Sequence, residues 1–249
     1  MKPKKKSAGA QPGEYDVDAV IALLKRHATK ATRDGMARYG LPSDRAFGVP
    51  VGTMRQLAKR IGRDHDLAAG LWATGWYEAR MMAGFIDDAA QVTPAQMERW
   101  AKDFDNWGIC DTVCFSLFDR SPHAWDKVAA WADRDEEFVK RGAFALLASL
   151  VAHDKTAPDD RFARSLALIE KAAPDERNFV KKGVNWSLRC IGKRNAALND
   201  AAVAVAERLA KSENASERWV GKDALRELKS PALRKRLAAK SKKSAKKKN

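Results

Sequence analysis

A repeat in the second half of the chain constrains its fold more than any other feature. Phe138-Val139-Lys140-Arg141-Gly142-Ala143 recurs 41 residues later as Phe179-Val180-Lys181-Lys182-Gly183-Val184. A weaker copy, Trp219-Val220-Gly221-Lys222-Asp223-Ala224, follows after another 40. Acidic residues sit just upstream of each copy: Asp135-Glu136-Glu137, Asp175-Glu176 and Glu217. An amphipathic run such as Arg161 to Lys171 lies between copies. A two-helix unit with a period near 40 is the signature of a HEAT-type solenoid. Such units stack because none can bury its apolar face alone. Fainter units lie around Trp76-Tyr77-Glu78-Ala79-Arg80-Met81 and Asn106-Trp107.

The rest of the body also reads as helix. Asp16 caps an apolar run through Leu24, and Thr93-Pro94 sets a cap and a first-turn proline before Trp100. Ser121-Pro122 is read as a second such device, and Asp200 to Leu209 as another amphipathic run. No stretch alternates convincingly with period two. The expected class is all-α, with HEAT-like helical repeats forming a curved α-solenoid whose concave side is the usual binding surface.

Net charge divides the chain further. Of a total of +15, Lys2, Lys4, Lys5 and Lys6 lie in the first ten residues, and six lysines lie in the last ten. The expected organisation is a basic disordered tail over 1–14, one domain over 15–238, and a lysine-rich disordered tail over 239–249. Such tails attract polyanions by counterion release without sequence specificity, or simply solubilise the chain. Three cysteines in 249 residues exclude a disulfide scaffold and point to a reducing compartment. No apolar run reaches membrane-spanning length, and Ser7-Ala8-Gly9-Ala10-Gln11-Pro12 stands where a secretory signal would be apolar. A soluble, cytoplasmic and nucleoid-associated protein is expected, with no membrane partner.

Lys140, Arg141, Lys181, Lys182 and Lys222 recur at one place in each unit. The helix dipole disfavours cations in a first turn, so a phosphate-facing stripe explains them better than a solvated one. In Asp105-Asn106-Trp107-Gly108-Ile109-Cys110-Asp111-Thr112-Val113-Cys114-Phe115, helical spacing puts Trp107 and Asp111 one turn apart on one face. Val113 and Leu117 would then face the core. Trp186 follows Lys182 by one turn. Trp107, Asp111, Arg141 and Trp186 are read together as candidates for the concave surface, although a tryptophan at helical spacing is commonly core. Cys110 and Cys114 read as small core residues, since no nearby side chains complete a metal site. No cofactor is expected: Gly35, Gly40 and Gly48 fit no nucleotide fingerprint.

Three segments resemble the AlkD-like DNA alkylation repair family: Asn106 to Asp111, Phe138 to Ala143, and Lys182-Gly183-Val184-Asn185-Trp186-Ser187-Leu188-Arg189. Met36-Ala37-Arg38-Tyr39, Phe47-Gly48-Val49-Pro50 and Met54-Arg55 are similar to its N-terminal part. The resemblance covers about residues 15–238. It implies a single HEAT-like domain, a concave DNA-binding face, and hydrolytic release of N3- and N7-alkylated purines from duplex DNA without base flipping. It matches the catalytic carboxylate to Asp111, the tryptophan before it to Trp107, the motif arginine to Arg141, and the second tryptophan to Trp186. Lys140, Lys181, Lys182, Lys222 and Arg189 are the expected DNA contacts. A monomer acting on duplex DNA with alkylated bases is expected, with no obligate protein partner. The alternatives are a non-catalytic HEAT-like binder of nucleic acid or protein, and an RNA-associated scaffold.

Overall fold

The structure, a computed structural model, describes residues 15–245. The expected tail over 1–14 lies outside these residues, as do the last four positions of the other. Fourteen α-helices and two short 3-10 helices account for the regular structure, with no strand among the described residues. The stretch expected to form one domain divides into two compact units after Pro122.

The first unit contains α1 (Val17–Arg26), α2 (Lys30–Met36), α3 (Val51–Ile61), α4 (His65–Ala73), α5 (Tyr77–Ile86), α6 (Pro94–Lys102) and α7 (Trp107–Ser116). The caps read at Asp16 and Thr93 are present, accepting from Ala19 N and Gln96 N. Helix α5 is the hub, packed by α1, α3, α4 and α7, and it buries Met81, Met82 and Ile86 almost completely. The Trp72 and Trp100 rings stack at 4.0 Å and tie α4 to α6. Glu78, 1% exposed on α5, accepts hydrogen bonds from the amides of Phe47, Gly48 and Val49 at 2.7–3.1 Å. A buried carboxylate needs such donors, and here they pin the loop before α3. A 3-10 helix, Phe118–Arg120, closes the unit. Ser121 does not cap the next helix, because helix formation resumes only at Ala124, with His123 in the cap position.

The second unit is built from α8 (Ala124–Ala132), α9 (Glu137–His153), α10 (Asp159–Ala172), α11 (Asn178–Gly192), α12 (Ala196–Ala210), α13 (Ala215–Leu228) and α14 (Pro231–Ala245). The first two sequence repeats begin α9 and α11, and the third lies one turn into α13. These stack in order, and α8, α10 and α12 each pair with the helix that follows. The HEAT-like arrangement read from the period is therefore present in this unit. Helix α12 starts earlier than the amphipathic run suggests because Asn195 caps it, accepting from Leu198 N. Gly221 permits the close approach of α13 to α12: a Cβ there would meet Ala210 N at 2.3 Å. Helix α14 runs to Ala245, into the stretch read as a disordered tail.

Candidate active-site residues

Helix α7 carries the first two candidates. Asn106, 1% exposed, caps it by accepting from Ile109 N at 2.9 Å. Its inward face is Ile109, Cys110, Val113 and Cys114, all buried, with Leu117 beyond. Trp107, Asp111 and Phe115 line up one turn apart on the remaining face, each half-buried. Phe115 extends the Trp107–Asp111 face, and its i+4 spacing from Asp111 is the sequence signal for it. The Trp107 ring is fixed by its Nε1–H, which donates to Tyr39 O at 2.8 Å. That carbonyl closes a 3-10 helix, Ala37–Tyr39, after α2. Gly108 explains the residue after the tryptophan: a Cβ there would lie 2.7 Å from the Tyr77 hydroxyl on α5. A glycine thus lets α7 press onto the hub. Burial, with the Glu78 charge adding to it, pushes Tyr77 up to about 12. A cavity of about 340 Å³ opens beside Tyr39, between Met36, Leu41, Val49 and Tyr77.

Cys110 and Cys114 lie fully in the core. Burial raises the Cys114 thiol well above its ordinary range, with Cys110 adding to the shift. A thiol kept protonated in this way is neither a nucleophile nor a metal ligand. Among the described residues no three His, Cys, Asp or Glu side chains gather as a metal site. None of the described helices is long and apolar enough to cross a membrane.

The other two candidates lie in the second unit, on neighbouring helices. Arg141 of α9 is 6% exposed, and its Nη1 donates to Phe179 O at the start of α11, 2.7 Å away. Its stem lies over Gly183, whose ideal Cβ would stand 3.5 Å from Arg141 Cγ. The sequence suggests a phosphate contact for this arginine; the stacking of α11 on α9 also puts a backbone acceptor within its reach. Trp186 is half-buried in the middle of α11.

The expected basic stripe is largely drawn into links between repeats. Lys140 Nζ meets Asp175 at 3.0 Å, so the acidic residues upstream of one copy neutralise a cation of the copy before. The Arg177 guanidinium beside Asp175 holds that carboxyl well below the usual range, and Lys140 assists. Arg189 Nη1 lies 3.1 Å from Glu227. Lys181 Nζ sits 5.4 Å from the centre of the Trp219 ring, a cation–π contact. Lys182 and Lys222 are exposed, with no ion pair among the described residues. These two retain the stripe's free charge.

A family model described as "DNA alkylation repair enzyme" matches residues 20–228. The chain belongs to that family. Among solved structures it is similar to a protein from "a new family of proteins related to the HEAT-like repeat DNA glycosylases with affinity for branched DNA structures". The two share 21% identity and a TM-score of 0.72 over 85% of this chain and 95% of that one, which bears on the fold alone. A designed armadillo repeat protein matches at 14% identity and a TM-score of 0.33, over 79% of this chain and 99% of its own. No curated protein sequence matches. The family agrees with the resemblance noted in the sequence, and the helical-repeat fold agrees with the 40-residue period.

Proposed function

We propose that this chain is a DNA glycosylase that hydrolyses the N-glycosidic bond of cationic N3- and N7-alkylpurines in duplex DNA. The observation that carries the proposal is the pairing of Asp111 with Trp107 on the one face of α7 left out of the core, in a member of the DNA alkylation repair family. An alkylated purine already bears positive charge, so it leaves without a strong general acid. Bond cleavage builds oxocarbenium character on the deoxyribose. The Asp111 carboxylate stabilises that charge and orients or deprotonates the attacking water. The electron-rich Trp107 face, held in place by Tyr39 O, contacts the cationic nucleotide for roughly 0.5–2 kcal/mol. In the second unit Trp186 is assigned a nucleotide contact. Arg141 is a positioning residue that fixes the start of the helix carrying Trp186. Lys182 and Lys222 are assigned to phosphates.

Release of 7-methylguanine and 3-methyladenine from alkylated duplex DNA tests this reading. Asp111→Asn should lower release by about 10²-fold or more while duplex affinity stays close to wild type. Undiminished release by that variant would remove Asp111 from the mechanism. A second reading, binding of DNA without excision, draws on the similar structure's described affinity for branched DNA. It would be supported by tight wild-type binding to a four-way junction with no base release at all.

A further inference from the structure

The cations of the second unit are mostly paired across repeats, but its last helix is an exception. Glu227 is the last carboxylate side chain in the sequence, and the 22 residues after it hold ten lysines and arginines. Helix α14 presents the first of these on a fixed frame. Leu233 and Leu237, each 5% exposed, lie on its inner face, and the helix packs on α12. Arg234, Lys235, Arg236 and Lys240 stand exposed around the remaining arc, and none makes an ion pair among the described residues. Arg236 and Lys240, one turn apart, also border an open cavity of about 700 Å³. Its opposite wall is the C-terminal ends of α9 and α11, where Lys155 and Lys193 add further positive charge. The two carboxylates that line this cavity are already engaged, Glu227 by Arg189 and Lys193 at 3.1 and 3.0 Å and Asp159 by Arg194 at 3.2 Å.

Uncompensated charge on a packed helix costs self-repulsion, which a polyanion relieves. We infer that α14 is a clamp for the phosphate backbone of nucleic acid, lying outside the repeat stripe and away from Trp107 and Asp111 in sequence and in unit. An anionic membrane offers similar charge, but its helical partners insert an apolar face. The apolar face of α14 is consumed by α12. The clamp adds affinity without sequence preference, because phosphate contacts carry none. The inference rests on DNA being the substrate class, as proposed above, and its test does not depend on excision.

The test uses the full chain and an undamaged 25-base-pair duplex, with binding measured between 50 and 400 mM NaCl. Each phosphate contact steepens the slope of log affinity against log salt by about 0.9. Arg234→Ala, Lys235→Ala, Arg236→Ala and Lys240→Ala, combined in one variant, should make the slope shallower by up to about 3.6. Alanine favours helix and leaves Leu233 and Leu237 in place, and circular dichroism checks the fold. Release of 7-methylguanine at saturating DNA should match wild type. A wild type that binds with the steep slope but releases no base would sink the glycosylase reading and leave the clamp standing. An unchanged slope in the folded variant would overturn the clamp. So would a variant that loses binding only to phosphatidylserine vesicles and keeps its duplex binding.

Discussion

Arg141→Met separates two roles that the sequence alone leaves joined. Methionine keeps most of the stem over Gly183 and removes the guanidinium that reaches Phe179 O at 2.7 Å. A hydrogen bond from a charged donor is worth about 1.5–3 kcal/mol net, and the carbonyl left behind is partly buried. At about 2–4 °C per kcal/mol for a chain of this size, the midpoint of thermal unfolding should fall by roughly 3–12 °C. The salt dependence of duplex binding should not change, because a side chain 6% exposed has little surface to give a phosphate. Circular dichroism at 222 nm reads the first quantity, and fluorescence anisotropy across a salt series reads the second. The structural role of Arg141 is refuted if the variant melts with wild type while its salt slope becomes shallower by about 0.9. That result would put Arg141 on a phosphate and make its bond to Phe179 incidental.

Two further outcomes are expected. Trp107→Phe removes the donor to Tyr39 O and keeps an aromatic face, so the first unit should lose about 1 kcal/mol while much base release persists. Trp107→Ala should lower release a further 2- to 30-fold, the rate equivalent of a cation–π contact, and equal rates for the two variants would discard that contact. Asp175 is held below its unfolded value of about 3.9 by Arg177 and Lys140. Its stabilisation is therefore complete above about pH 5 and drains away as pH falls below the unfolded value and through the folded one. Urea unfolding at pH 5 and pH 3 should show a larger loss for wild type than for Asp175→Asn, and identical losses would remove Asp175 as the cause.

The second unit was readable because its repeat writes the same turn three times, at Phe138, Phe179 and Trp219. The first unit has no such copy. Its helices of 7–11 residues are held by single contacts such as the Trp72–Trp100 stack and the Glu78 clasp. The α7 motif was legible as chemistry: asparagine caps, isoleucine and cysteine point inward, and tryptophan and aspartate share the other face. What stayed hidden were partners supplied by the backbone. Tyr39 O lies 68 residues from Trp107, and Phe179 O lies 38 from Arg141. Carbonyls carry no residue identity, so no motif announces them. The links that engage part of the cation stripe were hidden for a related reason. The helix-dipole argument correctly marked Lys140 as unusual, yet its counter-charge was Asp175 of the next repeat. Ser121-Pro122 looked like Thr93-Pro94, but the chain turns through Pro122 and His123 before the helix begins at Ala124.

The links between α9, α11 and α13 join residues 35 to 42 apart, again and again: Lys140 with Asp175, Arg141 with Phe179, Asn185 with Val220, Ser216 with Asp175. Among the described residues these links join neighbouring repeats, so the second unit behaves as a short chain of coupled springs rather than a single knot. Folding can start at any helix pair and zip outward, with each step closing a loop of nearly the same length. Damage follows the same geometry. Loss of the Asn185 bond, midway along, would loosen one junction that Arg189 and Glu227 still bridge, whereas a lost contact beneath α14 would loosen only the end.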